Sequence, residues 1–489
     1  MRFTKLASLA AVVSFALMSL SCNKSALPQS EEFLILSGDY PDPTILKDGD
    51  DYYMTHSQFD YERGFMIWHS KDLLNWTPLC NTNVTFAGSV WAPDLIKHDN
   101  KYYIYYPARG TNFVIWADDI KGPWHGPVDL KVDGIDPGHI VDQTTGKRYL
   151  FFSHKHMAPL SDDGLSLIGE KREVYEMWPI PEEWDVECDC IEAPKLFYHD
   201  GYYHLLTAQG GTAGPATSHM VVEQRAKSLE GPWELSPYNP VIHTDSAAEE
   251  WWSTGHGTAV EGPDGQLWMY YHGYKANKHY IGRSTLARPV EWTEDGWLKV
   301  AENRYDTPKL SNFNLDLSDN FDADSLSMQW MGWKERLDGH YTLNDGKITV
   351  NGKGASPSDG RLLLVHSYGE SYEVEVNIEL NENSHGGLVL FYAENAYTGI
   401  TYDGENIYIH RDGVETETRP NIYGVGCKIK LVNYRGMLDM YFNNHVVAQG
   451  LNAAELNHNR LGNFLSLCPA LVSIGDGSIS FKKFRYKSL

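Results

Sequence analysis

Five polar side chains, Asp42, Asp94, Asp136, Glu192 and His256, recur at comparable places in the N-terminal part of a 489-residue chain, each a short distance ahead of a tyrosine- or tryptophan-rich segment. Carboxyl groups brought to one place can divide acid and base work between them, one ionised and one holding a proton. An Asp next to Pro, as in Tyr40-Pro41-Asp42-Pro43 and Ile135-Asp136-Pro137, is ordinarily a turn former. Recurrence in register with Glu192 and His256 shifts the reading from five turns to one shared site.

The elements that must bring these residues together are legible in the turns. A turn followed by an aromatic strand occurs at Asp50-Asp51-Tyr52-Tyr53, Asn100-Lys101-Tyr102-Tyr103, Gly146-Lys147-Arg148-Tyr149, Asp200-Gly201-Tyr202-Tyr203 and Asp264-Gly265-Gln266-Leu267-Trp268. Asp, Asn and Gly tolerate the positive φ of tight hairpins, so each unit is expected to be a small antiparallel sheet. Gly122-Pro123-Trp124 and Gly231-Pro232-Trp233 repeat at the outer ends of two units. Periods of roughly 40 to 60 residues with several short strands each indicate propeller blades, whose innermost strands line one central channel. The expected fold is all-β, with a five-bladed β-propeller over residues 32–305.

After Tyr305 the pattern changes. Residues 306–318, with Pro308, are expected to form a connector lying against the propeller. Residues 372–380 alternate with strict period two, and 388–392, 407–409 and 479–486 are further strand candidates. A second all-β domain, a β-sandwich over residues 319–489, is the economical reading.

The chain carries 65 acidic and 41 basic side chains, a formal net charge of −24, with no basic stripe to meet phosphates. Nucleic acid is therefore not an expected partner. Arg2 and Lys5 precede an apolar stretch over 6–20, too short for an ordinary membrane span and suited to an export signal. Ser19-Leu20-Ser21-Cys22 is similar to the lipobox of bacterial lipoproteins. This predicts a signal over 1–21, an acylated Cys22 opening a linker over 22–31, and a periplasmic or outer-membrane location. The alternative is an ordinary signal peptide cut nearby. The other cysteines, Cys80, Cys188, Cys190, Cys427 and Cys468, are odd in number, so at least one thiol stays free. Cys188-Asp189-Cys190 is too tightly spaced for a zinc knuckle.

Taken together, Tyr40-Pro41-Asp42-Pro43-Thr44-Ile45, Val90-Trp91-Ala92-Pro93-Asp94, Ile135-Asp136-Pro137, Ile191-Glu192-Ala193-Pro194, Ala208-Gln209-Gly210-Gly211-Thr212, Gly255-His256-Gly257 and Gly282-Arg283-Ser284-Thr285 resemble glycoside hydrolase family 43. The resemblance extends over nearly the whole mature chain. It implies a concanavalin-like C-terminal β-sandwich and the activity of a β-xylosidase or α-L-arabinofuranosidase. Asp42 would then be the general base and Glu192 the general acid of an inverting reaction. Asp136 would raise the pKa of Glu192 by like-charge repulsion. Phe59, Trp91, Thr212 and Arg283 would bind the sugar, with Arg283 donating to hydroxyls or, failing that, forming a rim salt bridge. His256 would stand near a calcium ion in the channel, or else be a hydrogen-bonded core residue. No organic cofactor is implied. Gln209 and Ser284 stand where xylosidases commonly carry Glu, which leaves the sugar open. An exo-β-galactosidase and a non-catalytic carbohydrate-binding lipoprotein are the competing readings. An invertase-like fold is disfavoured by Pro-Asp-Pro and Glu-Ala where that family has Asn-Asp-Pro and Glu-Cys.

Overall fold

The computed structural model describes residues 32–301, 315–381, 383–424 and 426–489. The signal, Cys22 and the linker lie outside these residues, as does most of the connector.

Five antiparallel sheets form the blades. Their innermost strands are Thr44–Asp48, Asp94–His98, Gly138–Val141, Ile191–His199 and Trp251–Glu261 in blades I to V. Each neighbours the next, and the fifth neighbours the first, so the ring is closed. The five turns predicted from sequence sit between the first and second strands of each blade. The second strands, such as Lys101–Ala108 and Tyr202–Gln209, are buried almost throughout because both faces meet neighbouring blades. A run of aromatic residues is thus the expected composition there. The ring is latched by Phe33–Leu36, which pairs with Arg283–Trp292 and becomes an outer strand of blade V. The Phe33 ring meets Trp268 edge-on at 5.2 Å.

The C-terminal part is a sandwich of an eight-stranded and a seven-stranded sheet. Strand Ser371–Leu380 alternates buried and half-buried side chains, as its period-two sequence requires. The other three candidates are strands as well, at His385–Ala393, Asn406–Arg411 and Ser478–Ser488. At the described end of the connector, Leu315 and Leu317 are buried in an apolar cluster that spans both domains, and Ser318 Oγ donates to the Tyr486 carbonyl at 3.2 Å.

One sheet belongs to both domains. Tyr61–Glu62, inside blade I, pairs with Met331–Trp333 at the edge of the eight-stranded sheet. Tyr61 packs edge-on to Trp333 and His366, so a single apolar cluster runs from blades I and V into the sandwich. Burial on this scale makes the two domains one rigid unit rather than beads on a linker. That rigidity allows a sandwich loop to serve as part of a propeller pocket.

Candidate active site

Asp42, Asp136 and His256 share an unusual backbone: each adopts a left-handed conformation, with φ of 58°, 56° and 62°. Ala193, beside Glu192, does the same at 55°. Asp visits this region at modest cost, whereas Ala there costs roughly 1 kcal/mol or more. The strain at Ala193 is offset by its N–H donating to Asp136 Oδ2 at 3.1 Å. Repetition of one unusual φ at the entry to four blades is the structural basis of the sequence register. It aims successive side chains at the axis instead of alternating them across the sheet.

Eight of the nine residues singled out from the sequence line one pocket. Asp42, Asp136 and Glu192 supply its carboxyls. Phe59, Trp91, Thr212, Arg283 and His256 form walls and floor, and three residues not foreseen complete it: Ala92, Ile135 and Phe464. Phe464 comes from the sandwich, on a loop held by the Leu467 N–H to the Tyr280 carbonyl at 2.9 Å and by a ring stack with His458 at 4.3 Å. No local motif announces it. Trp91, 39% exposed, stands at the mouth with its ring edge-on to Phe464. Asp94, the remaining converging residue, is not in the pocket; it pairs with Lys195, Nζ to Oδ1, at 2.7 Å.

Asp42 is 5% exposed and fully engaged. Ser57 Oγ donates to Oδ2. Arg283 reaches both oxygens, Nη1 to Oδ1 at 3.3 Å and Nη2 to Oδ2 at 3.5 Å. His272 Nδ1 lies 3.0 Å and His256 Nδ1 3.3 Å from Oδ1. Burial by itself would raise this carboxyl, but the Arg283 charge, followed by the two histidines, overrides burial and holds it well below the usual range. Burial pushes His256 and His272 down to about 3 and about 4, so both are neutral at neutral pH and the Arg283 guanidinium carries the countercharge there. His272 Nδ1 faces both Asp42 Oδ1, at 3.0 Å, and the Asp42 backbone N–H, at 3.2 Å. Its Nε2 hydrogen-bonds with the Thr212 hydroxyl at 2.7 Å, and Thr212 Oγ1 accepts from Arg283 Nη1 at 3.1 Å. Arg283 is therefore not a rim salt bridge: it is buried, its partner is Asp42, and its guanidinium lies over the rings of Phe59 and Phe464 at 5.6 and 5.2 Å.

Glu192 and Asp136 behave differently. Burial first, then the charge of Asp42, raises Glu192 to about 7. Burial, with Glu192 and Asp42 as like charges, also raises Asp136, while Lys195 and the Ala193 N–H work against that rise. The expectation that Asp136 supplies the shift at Glu192 is corrected: burial and then Asp42 raise it, and Asp136 and Glu192 titrate as a pair that retains a proton near neutral pH.

The departures at Gln209 and Ser284 do not reach the pocket. In the amide orientation that satisfies both groups, Gln209 donates to the Trp178 carbonyl at 2.9 Å and accepts from its N–H at 3.0 Å. Ser284 Oγ donates to the Gly38 carbonyl at 3.3 Å beside the closing strand. Both act in the scaffold, so neither decides the sugar.

The donor set around His256 does not fit calcium. Asp42, His256 and His272 present ligand atoms within 4.8 Å of one another, one carboxylate and two imidazoles. Calcium takes six to eight oxygens, and this carboxylate already serves Arg283 and Ser57. His256 Nε2 is buried without a hydrogen-bond partner among the described residues, yet its ring lies in the field of two fixed cations, Lys195 and Arg283. Cys188 and Cys190 form a disulfide next to the pocket, and Cys80, Cys427 and Cys468 are free thiols, in keeping with the odd count.

A family profile described as "Glycosyl hydrolases family 43" matches residues 34–298, and one described as "Beta xylosidase C-terminal Concanavalin A-like domain" matches 318–422. A xylan 1,3-β-xylosidase from a Vibrio species is 30% identical over 331 residues, 58% of this chain and 59% of the relative. The non-reducing end α-L-arabinofuranosidase BoGH43B of Bacteroides ovatus is 27% identical over 355 residues, 66% of this chain and 64% of the relative. The chain thus spans about six tenths of the length of these curated relatives. In the solved xylan β-1,4-xylosidase from Bacillus halodurans, 24% identical, the same fold superposes with a TM-score of 0.81 over 93% of this chain and 99% of that one.

Proposed function

Because the chain belongs to glycosyl hydrolases family 43, we propose that it is an inverting exo-glycosidase that removes terminal α-L-arabinofuranosyl or β-D-xylosyl units from plant polysaccharide fragments. One observation carries the reading: a single pocket holds a carboxyl kept ionised, Asp42, and a carboxyl pair that retains a proton near neutrality, Glu192 with Asp136. Inversion needs this division, a base to activate water on one face of the sugar and an acid to protonate the leaving oxygen on the other. Asp42 takes a proton from water as its oxygen attacks the anomeric carbon, and Glu192 delivers a proton to the glycosidic oxygen as that bond breaks. Arg283 and Thr212 present donors on the pocket wall, while Phe59 and Trp91 offer faces to sugar C–H surfaces. Exo-action is supported by Phe464, which adds a wall from the second domain. The choice of pentose is supported by the named activities of the two relatives. Export as a lipoprotein through Cys22, to the periplasm or outer membrane, accords with a polysaccharide substrate; mass spectrometry of the membrane fraction tests it.

The main test is product analysis. Asp42→Ala and Glu192→Ala should each remove nearly all release of nitrophenol from nitrophenyl arabinofuranoside and xyloside without unfolding the protein. NMR of the wild-type reaction should show the inverted anomer forming first. Wild-type rates in either variant would sink the assignment. Greater activity on the galactoside of the same panel would transfer it to an exo-galactosidase.

A further inference from the structure

Lys195 is a buried lysine that the reaction as described does not use. It lies on the same innermost strand as Glu192, just past a break in strand register. Its Nζ crosses the channel from blade IV to blade II, donating to Asp94 Oδ1 at 2.7 Å and to the Pro93 carbonyl at 2.9 Å. Asp94 Oδ2 in turn accepts from the His139 N–H at 2.7 Å, and Thr44 Oγ1 donates to Oδ1 at 3.3 Å. Four blades therefore meet at this ion pair, beneath the segment that carries Asp136, three residues before His139.

Charge balance gives the pair a second meaning. Asp42 is matched by Arg283 and Asp94 by Lys195. Asp136, buried, and Glu192, half-buried, remain in the same pocket without a salt-bridge partner among the described residues, and neighbouring carboxyls in such a site share a proton. The surroundings of the two are not alike. Asp136, which burial first and then Glu192 and Asp42 raise well above the usual range, receives the Ala193 N–H at 3.1 Å and lies in the field of the Lys195 ammonium, both of which work against that rise. Glu192 is faced by Arg283 and by the carboxylates of Asp42 and Glu187.

We propose that Lys195 is a positioning residue: its ammonium, clamped across the channel on Asp94 and the Pro93 carbonyl, favours the negative charge on Asp136 and so places the shared proton on Glu192. This rests on the reading of Glu192 as the acid. Without the ammonium the proton moves toward Asp136, and Glu192 has less to give the leaving oxygen.

The test is the dependence of rate on the leaving group. Lys195→Met, nearly equal in volume, should lose about tenfold or more in kcat on phenyl pentosides, which need protonation. On dinitrophenyl pentosides, which do not, the loss should be about twofold or less. Removing one partner leaves Asp94 buried and unpaired, so Asp94→Asn with Lys195→Met is measured beside it. The double variant should regain thermal stability and keep the steep leaving-group dependence. Equal losses on all leaving groups, or a double variant with the wild-type dependence, would overturn the role of Lys195. Glu192→Ala is run in parallel. If it too shows the wild-type dependence, the acid assignment itself fails; if it is steep while the Lys195 variants are flat, only the positioning role fails.

Discussion

If Asp42 is the base, its pairing with Arg283 should set the acid side of the pH profile. At 3.3 Å and an effective dielectric constant of about 20, two unit charges attract by about 5 kcal/mol. Part of that offsets the burial of both ions, and an Asp beside an Arg is ordinarily lowered by about 1 to 3 pKa units, or about 1.4 to 4 kcal/mol. Arg283→Met should let burial prevail and move the acid limb of kcat/KM up by about 1 to 3 pH units. Arg283→Lys, a point charge without the fork, should move it less. Stability follows the same sign. Folding lowers the Asp42 carboxyl, so the pairing stabilises the protein above the unfolded pKa of about 3.9 and ceases to do so as pH falls through the folded value. The wild type should therefore resist acid further than Arg283→Met. Both quantities are read from kcat/KM against pH on a nitrophenyl pentoside and from melting curves at matched pH. The height of the profile will fall for reasons of sugar binding as well, so its limb is the measurement. A folded Arg283→Met with the limb at its wild-type position would refute the claim that Arg283 keeps Asp42 ionised.

On the alkaline side, activity should decline above about pH 7 as the proton leaves the Asp136–Glu192 pair, and Asp136→Asn, which removes a like charge, should move that limb to lower pH. Glu192→Gln should abolish turnover yet raise the melting temperature at pH 8 and not at pH 4. Folding raises this carboxyl, which makes burying its charged form unfavourable only above the unfolded pKa; an unchanged melting temperature at pH 8 would contradict it. Phe464→Ala should leave the fold intact and lower kcat/KM on short substrates roughly tenfold, the scale of one aromatic contact, while improving use of longer chains relative to wild type. Chelator treatment should change neither rate nor melting temperature, as measured by calorimetry with elemental analysis; a calcium-dependent melting curve would overturn the reading of the His256 donor set.

Much of the machinery was legible in the chain because a propeller writes its site in register. Asp42, Asp94, Asp136, Glu192 and His256 stand out in the sequence, since repeated blades place equivalent residues at one axis and the turn and aromatic signals mark each blade, and all but Asp94 line the pocket. Short strands with period-two burial, such as Ser371–Leu380, were readable for the same local reason. Lys195 gave no such signal: a lysine in a strand is usually a solvated side chain, and its clamp on Asp94 exists only when blades II and IV face each other across the channel.

Residue types, turns and periodicity give the number of blades and the all-β sandwich, because those signals act between neighbours in the chain, whereas the three carboxyls are told apart from Asp94 and His256 only by the family resemblance. Which carboxyl is ionised is decided elsewhere. It depends on Arg283, 241 positions from Asp42 in sequence, and on burial that arises only once the ring closes on Phe33–Leu36. The wall at Phe464 likewise requires a second domain packed rigidly against the first. Proton positions and pocket shape are long-range electrostatic and packing properties, and they come into being only with the tertiary contacts that create them.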